Sequence, residues 1–399
     1  MRLLFVTWTG GSHLFPMVPL AWAALAAGHE VRVAAPPGCA PAITGAGLTA
    51  VGVGQDRPSG QMSGRADLAA WRGEQRWPRR WAGSPEALDD GARAVFAALA
   101  DKQFAMAETM LDELMDFARA WRPDVVVHDS VAYAGAVAAA ALGVPAFSHM
   151  FGSPMIMRNE LQDFAGEPVP GYAKLFARLD VAPPAGPHGW IDPCPPALQW
   201  PAPVERISAR FVPYNGPGEH PSWLWRRPSA PRACLTWGMT AARHRPQAMP
   251  EVFANVLTVL ADLDLEIVLA VTAAHRDRLP ALPPRTRVVE SLPFHLLLPT
   301  CDVLVHHGGT GTGLTAVAAG VPQLMVPLAP VLAAFSERVD ACGAGIMCDP
   351  AEEGDAGGLR RAVERLLTAD GARRAAAVRD EVAALPLPAE VLGMIEAAR

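Results

Sequence analysis

The sequence predicts an α/β protein built from two doubly wound, parallel-sheet units. Three observations carry that expectation. Short aliphatic runs alternate with helical patterns from the first residues onward, as in Leu3–Val6, a helix, then Val31–Ala35; that order favours parallel strands joined by crossover helices. The alternation lapses over the proline-rich residues 152–232 and restarts at Ala233–Thr236. The 399 residues suffice for two domains, each with its own core.

Taken in order, strand Leu3–Val6 leads into the turn Thr7-Trp8-Thr9-Gly10-Gly11-Ser12-His13. A helix is expected from Pro16 to Ala27, with Gly28 as its C-cap. Strands Val31–Ala35, cut by Pro36-Pro37, and Leu48–Val53 follow. Between Gly54 and Pro85 the periodicity fails, and Trp71, Trp77 and Trp81 stand among arginines; so long a loop in a compact domain is commonly functional. Next come a helix over Pro85–Trp121, a strand Asp124–His128, a helix ending at Leu142 and a strand Ala146–His149. Residues 152–232 hold Trp190, Trp200, Trp223 and Trp225 and are read as loops with one short helix, Gly171–Leu179. In the second half, strands are expected at Ala233–Thr236, Glu266–Val271, Arg287–Glu290, Asp302–Val305, Gln323–Val326 and Gly345–Met347. Amphipathic helices over Asp355–Leu385 and Pro388–Ala398 end the chain. The expected division is a first domain at 1–213, a linker at 214–231, a second domain at 232–384 and a terminal helix at 385–399.

Composition excludes several classes. With 51% hydrophobic and 19% charged residues the chain reads as globular rather than disordered. A net charge of -6 and a pI near 6.0 argue against a general nucleic-acid binder, which would carry a basic face. The six cysteines have neither Cys-x-x-Cys nor metal-ligand spacing and read as reduced thiols. Leu3–Val6 is too short for a signal-peptide core, and no apolar run reaches the length of a membrane span. A cytoplasmic protein is expected.

The most informative stretch is His306-His307-Gly308-Gly309-Thr310-Gly311-Thr312-Gly313-Leu314-Thr315-Ala316, which closes at Gly320-Val321-Pro322-Gln323. A strand, a glycine-rich turn and a helix bring unpaired N–H groups to an outward-facing helix N-terminus, a ready site for an anion. Glycine lets the backbone approach a phosphate closely, while Thr310, Thr312 and His307 add donors. By itself, such a run also serves as a plain strand-to-helix turn. It is neither a Gly-x-Gly-x-x-Gly dinucleotide fingerprint nor a Walker loop, since no Gly-Lys-Ser/Thr follows. The paired histidines and the Gly-Val-Pro-Gln close resemble the nucleotide-sugar signature of GT-B fold glycosyltransferases. More narrowly, they resemble the bacterial enzymes that decorate natural-product aglycones from TDP-deoxysugars. The resemblance implies two facing Rossmann-like domains, with the terminal helix crossing back onto the first.

Other residues take their roles from that resemblance. Spacing alone favours a surface histidine capping the next helix, but Gly11-Ser12-His13 followed by Pro16-Met17-Val18-Pro19-Leu20 matches the stretch whose histidine is the catalytic base, and that resemblance makes His13 the candidate base. Asp129, after Val125-Val126-Val127, is the candidate for orienting it, and a helix N-cap is the other reading of that aspartate. Trp237-Gly238-Met239-Thr240 corresponds to the loop beside the nucleotide phosphates, and Ser291-Leu292-Pro293 to the grip on the pyrimidine, with Leu292 as the contact. One departure matters. If Glu337-Arg338-Val339 aligns with the Glu-Arg-Val of relatives that use hydroxylated sugars, Val331 and Leu332 stand where those relatives carry Asp-Gln. Apolar side chains cannot satisfy sugar hydroxyls, but they suit the methyl and methylene faces of a deoxysugar.

The implied activity is an inverting, metal-independent transfer from a TDP-deoxysugar, a co-substrate rather than a cofactor, to a polyketide-like or other aromatic aglycone. The scattered tryptophans and Met150, Met155 and Met157 admit a flat aromatic acceptor. No Asp-x-Asp or ligand cluster calls for a metal. A C-glycosyltransferase, a nucleotide-sugar epimerase and a non-catalytic helper protein are the competing readings, and a homodimer is left open.

Overall fold

The computed structural model describes residues 1–56, 77–84, 86, 88–161, 166–226, 228–237, 251–276, 279, 281–327, 329–349 and 354–398. Two parallel sheets organise them. The first contains β1 (Arg2–Val6), β2 (Glu30–Ala35), β3 (Ala50–Gly52), β4 (Val125–Asp129), β5 (Ala146–His149), β6 (Gly189–Asp192) and β7 (Arg206–Ser208), in the order β3-β2-β1-β4-β5-β6-β7. The second contains β8 (Arg232–Thr236), β9 (Glu266–Val271), β10 (Thr286–Glu290), β11 (Val303–His306), β12 (Gln323–Met325) and β13 (Gly345–Met347), in the order β10-β9-β8-β11-β12-β13.

Both sheets are buried on both faces, which is why their strands read as unbroken aliphatic runs rather than as alternating ones. Leu3, Leu4, Phe5 and Val6 are all sealed from solvent. On one face, Leu3 and Phe5 meet Leu14, Met17 and Val18; on the other, Leu4 and Val6 meet Leu111, Leu114 and Val137. Within each sheet the direction of winding reverses once, between β1 and β4 in the first and between β8 and β11 in the second. At such a reversal the crossovers leave to opposite faces, and a crevice opens at the carboxyl ends of the strands.

Several boundaries differ from expectation. The third strand is only Ala50–Gly52, and the long helix runs from Asp90 to Trp121, with Asp89 capping it by accepting from the Ala92 N–H at 2.8 Å. Strands β6 and β7 lie in a segment read as loops. Prolines at 193, 195 and 196 and the single aliphatic Ile207 hide them from pattern reading. Packing specifies them instead: a Cβ on Gly189 would come within 2.4 Å of Ile207 Cδ1, so β6 depends on a residue with no side chain.

The two sheets meet along a seam. Leu198 and Phe211 pack with Leu314, Phe335 and Val339. The Trp200 indole donates to the Ala334 carbonyl at 2.9 Å, and the Arg338 guanidinium donates to Ala197 O at 2.7 Å. The last helix, Pro388–Ala397, returns to the first sheet, where Val391, Leu392 and Ile395 join the core around Leu14 and Leu20. Among the described residues no helix is long and apolar enough to cross a membrane.

Candidate active site

Each half of the candidate site sits at one of the two winding reversals. His13 lies in the turn after β1, and Asp129 is the last residue of the neighbouring β4. Their side chains meet, with His13 Nδ1 and Asp129 Oδ2 2.5 Å apart. Asp129 is completely buried, and its other oxygen accepts from the Val131 N–H at 2.9 Å. The carboxylate thus binds the histidine and ties down the turn after its strand, and it is not a helix N-cap, because the helix begins later, at Tyr133, with Ala132 at the N-cap position. A carboxylate on Nδ1 holds the proton there and leaves Nε2 as the acceptor.

Aromatic rings fix the imidazole. Phe151 lies 4.3 Å from the His13 ring centre, and Trp8 stands edge-on at 5.3 Å. The Lys102 ammonium sits 5.4 Å from the centre of the Trp8 ring, within reach of a cation–π attraction. Sequence reasoning passed over Trp8, Phe151 and Lys102. The signal for the first two was positional, since they follow β1 and β5 at the same carboxyl edge as His13.

The second half is the turn after β11. His306, fully buried, binds Gln323 Oε1 through Nε2 at 3.0 Å and accepts the Gly308 N–H on Nδ1 at 3.2 Å. Burial, with His307 adjacent, holds its pKa down at about 3. His307 is also buried, and desolvation lowers it to about 4. It is therefore a neutral group at physiological pH, not a cation, and its Nδ1 is buried without a partner. Gly308 adopts φ +86°, and a Cβ there would lie 2.6 Å from Ser336 Oγ. A Cβ on Gly309 would meet His307 Nε2 at 2.7 Å.

The helix Thr310–Ala319 starts from Gly309 with no side-chain cap and no acidic residue in its first turn. Its leading N–H groups and the half-exposed Thr310 and Thr312 are thus available to an anion. Gly313 lets this helix close on the next one, since a Cβ there would overlap Phe335 at 2.2 Å.

The remaining expected residues divide. Trp237 follows β8 at the reversal, but its side chain is buried against Phe253, ring centres 5.5 Å apart, so this residue can offer the site only its backbone. Gly238 and Met239 lie outside the described residues. Leu292 is half-buried beside the cluster around Leu297 and Leu298, after Ser291 at φ +54°. Val331 packs onto a cluster drawn from both domains, with Trp81, Met155, Met157 and Trp200 buried and Phe151 beside them. Leu332 lies against Gly308, where a Cβ on the glycine would be 3.4 Å from Leu332 Cβ.

The two halves are joined by consecutive residues. Phe151 touches His13, and Gly152 at φ +93° presses on the helix Thr310–Ala319. A Cβ on Gly152 would lie 2.7 Å from Leu314 Cδ1 and 3.8 Å from Thr310 Oγ1. The histidine and the anion-ready helix terminus are therefore brought together through two consecutive residues.

Comparison with known proteins agrees with this fold. The model of the erythromycin biosynthesis protein CIII-like N-terminal domain matches residues 22–238, and that of the corresponding C-terminal domain matches residues 254–398. The chain belongs to this glycosyltransferase family. It is 36% identical to the 10-deoxymethynolide desosaminyltransferase of Streptomyces venezuelae, over 99% of this chain and 96% of the relative. It is 35% identical to the TDP-daunosamine transferase DnrS of Streptomyces peucetius, with the same coverage. Among solved structures, glycosyltransferase VinC in complex with dTDP superposes with a TM-score of 0.83 at 33% identity, covering 100% of this chain and 99% of that one. The spinosyn rhamnosyltransferase SpnG complexed with spinosyn aglycone gives 0.81 at 30% identity, covering 99% and 100%. The fold is GT-B, and this member of the family is an enzyme, a glycosyltransferase.

Proposed function

We propose that the chain moves a deoxysugar from a TDP-sugar to a hydroxyl of a polyketide-like or other aromatic aglycone, with inversion at the anomeric carbon. The first domain, residues 1–213, takes the acceptor. Residues 232–384 take the donor, the linker spans 214–231 and the terminal helix covers 385–399. The observation that carries this reading is the continuity from His13 through Phe151 and Gly152 to Thr310. In this reading the base and the anion site stand on opposite sides of one cleft.

In this reading His13 Nε2 accepts the acceptor's hydroxyl proton as that oxygen bonds to the anomeric carbon. The bond from that carbon to the diphosphate oxygen breaks, and TDP departs. Asp129 holds the imidazole ring and stabilises the imidazolium that forms. The N–H groups of the Gly309–Thr312 turn, the threonine hydroxyls and neutral His307 receive the growing negative charge of the diphosphate. Holding both substrates in one cleft supplies much of the rest. Val331 and Leu332 line the sugar's place with apolar surface, which favours sugars that lack hydroxyls there. The two relatives named for desosamine and daunosamine transfer, and the solved relative holding dTDP, support this choice of donor class.

The test is a His13→Ala variant assayed with a TDP-deoxysugar and an aromatic aglycone. Turnover should fall about 10²- to 10⁴-fold while TDP affinity stays at its wild-type value. A parallel loss of turnover and nucleotide affinity would remove His13 from the role of base.

A further inference from the structure

The linker between the domains alternates its allegiance residue by residue. Tyr214 belongs to the first domain. Its ring stands edge-on to Phe15 and Trp22 at 5.0 and 5.1 Å, and its hydroxyl donates to Gly45 O at 3.3 Å. The next residue, Asn215, belongs to the second. Its Nδ2 donates to Thr315 Oγ1 at 3.1 Å, and its Oδ1 accepts the His295 N–H at 2.9 Å. Gly216, at φ +93°, turns back so that a Cβ would lie 3.7 Å from Phe15. Gly218 then lies on Pro293, where a Cβ would overlap the proline ring at 2.5 Å.

Both partners of Asn215 connect directly to the donor side of the cleft. Thr315 is buried on the Thr310–Ala319 helix, and its hydroxyl donates to Gly311 O in that helix's first turn at 2.7 Å. His295 follows the Ser291-Leu292-Pro293 turn, on the helix Phe294–Leu297. One amide thus bridges the helix terminus assigned to the diphosphate and the turn assigned to the pyrimidine. It does so one residue from the first-domain anchor.

We infer that Asn215 is a positioning residue for the donor nucleotide. It sets the spacing between the diphosphate turn and the base turn, and it couples that spacing to the angle between the domains. The inference rests on the donor-site reading above. Asn215 touches no substrate in this role; it acts through Thr315 and His295. A side-chain amide suits the position because it donates at one end and accepts at the other, as Thr315 Oγ1 and the His295 N–H require.

The experiment is a calorimetric titration of TDP into wild type, Asn215→Ala, Thr315→Val, the double variant and Thr315→Ser, with steady-state kinetics for both substrates. Asn215→Ala and Thr315→Val should each weaken TDP about tenfold and raise the donor KM by the same factor, with the acceptor KM and melting temperature unchanged. The double variant should lose little beyond either single one, because the two residues form one connection. Thr315→Ser, which keeps the hydroxyl, should retain wild-type affinity. Wild-type TDP affinity in Asn215→Ala, fully additive losses, or losses shared equally by both substrates would overturn the role of Asn215. If Asn215→Ala fails to fold, the contrast between Thr315→Val and Thr315→Ser decides instead, equal affinities overturning the inference. Failure of wild type to bind TDP would instead strike at the donor site itself.

Discussion

At the scale of single residues, Asp129 is buried at the end of β4 with a partner on each carboxylate oxygen. Its position after an aliphatic strand marked it as facing a crevice, yet orienting a base and capping a turn need the same residue in the same place. The structure gives each oxygen its own partner, Oδ2 toward His13 and Oδ1 toward the Val131 N–H, with no helix N-cap. Asp129→Asn should keep the second bond and reverse the first, presenting an amide donor to Nδ1 and driving the imidazole proton to Nε2. The base would then lack its lone pair, and turnover should drop about 10²- to 10⁴-fold with TDP affinity unchanged. Undiminished turnover in this variant would mean that the buried pair only holds the loop. Trp237 is the contrasting case. Its turn was legible because glycine and threonine follow a strand, but the direction of the indole was not, and it points into the core beside Phe253. Periodicity reports where the backbone turns; it does not report which side chain the turn releases.

Among elements, those with strong internal patterns were legible, while those specified by their neighbours were not. The strands around both reversals are sealed on both faces and are therefore written as aliphatic runs. Strands β6 and β7 owe their place to Gly189 against Ile207 and to the ion pair of Arg206 with buried Asp192 at 2.5 Å. Neither feature has a period. The segment that holds them also supplies Trp200, whose ring reaches across the seam to the helix Pro330–Ala341, the element that carries Val331 and Leu332. Two parts of this contact can be separated. Trp200→Phe removes the indole bond to Ala334 O and should cost about 1 kcal/mol. Trp200→Ala also removes a buried ring packed with Trp81 and Met155 and should cost about 3–5 kcal/mol. Chemical denaturation of both variants measures the difference. Equal losses would show that the ring contributes nothing beyond its hydrogen bond.

Across the whole molecule, the two sheets share an acid-sensitive trait that follows from where their histidines lie. His128 and His149 end or nearly end β4 and β5, and His306 and His307 end β11 and open its turn. All four are buried, and desolvation is the first cause holding each below its ordinary value of 6.5. For His149 and His307 the folded value is about 4, and for His306 about 3. Nearby Asp129 opposes the shift at His128 and His149 without cancelling it. In the unfolded chain these groups take up protons near 6.5; in the fold His149, His306 and His307 stay neutral until far lower pH, and His128 is shifted in the same direction. Between those values the unfolded state binds more protons, so stability falls as pH drops below about 6.5 and goes on falling until the folded groups titrate near 4. His149, His306 and His307 each contribute on the order of 1 kcal/mol per pH unit in that window. Denaturation midpoints should therefore hold between pH 7.5 and 6.5 and decline with increasing steepness below. A midpoint that stays level to pH 5 would mean that water reaches these imidazoles and that the two edges are more open than their packing implies.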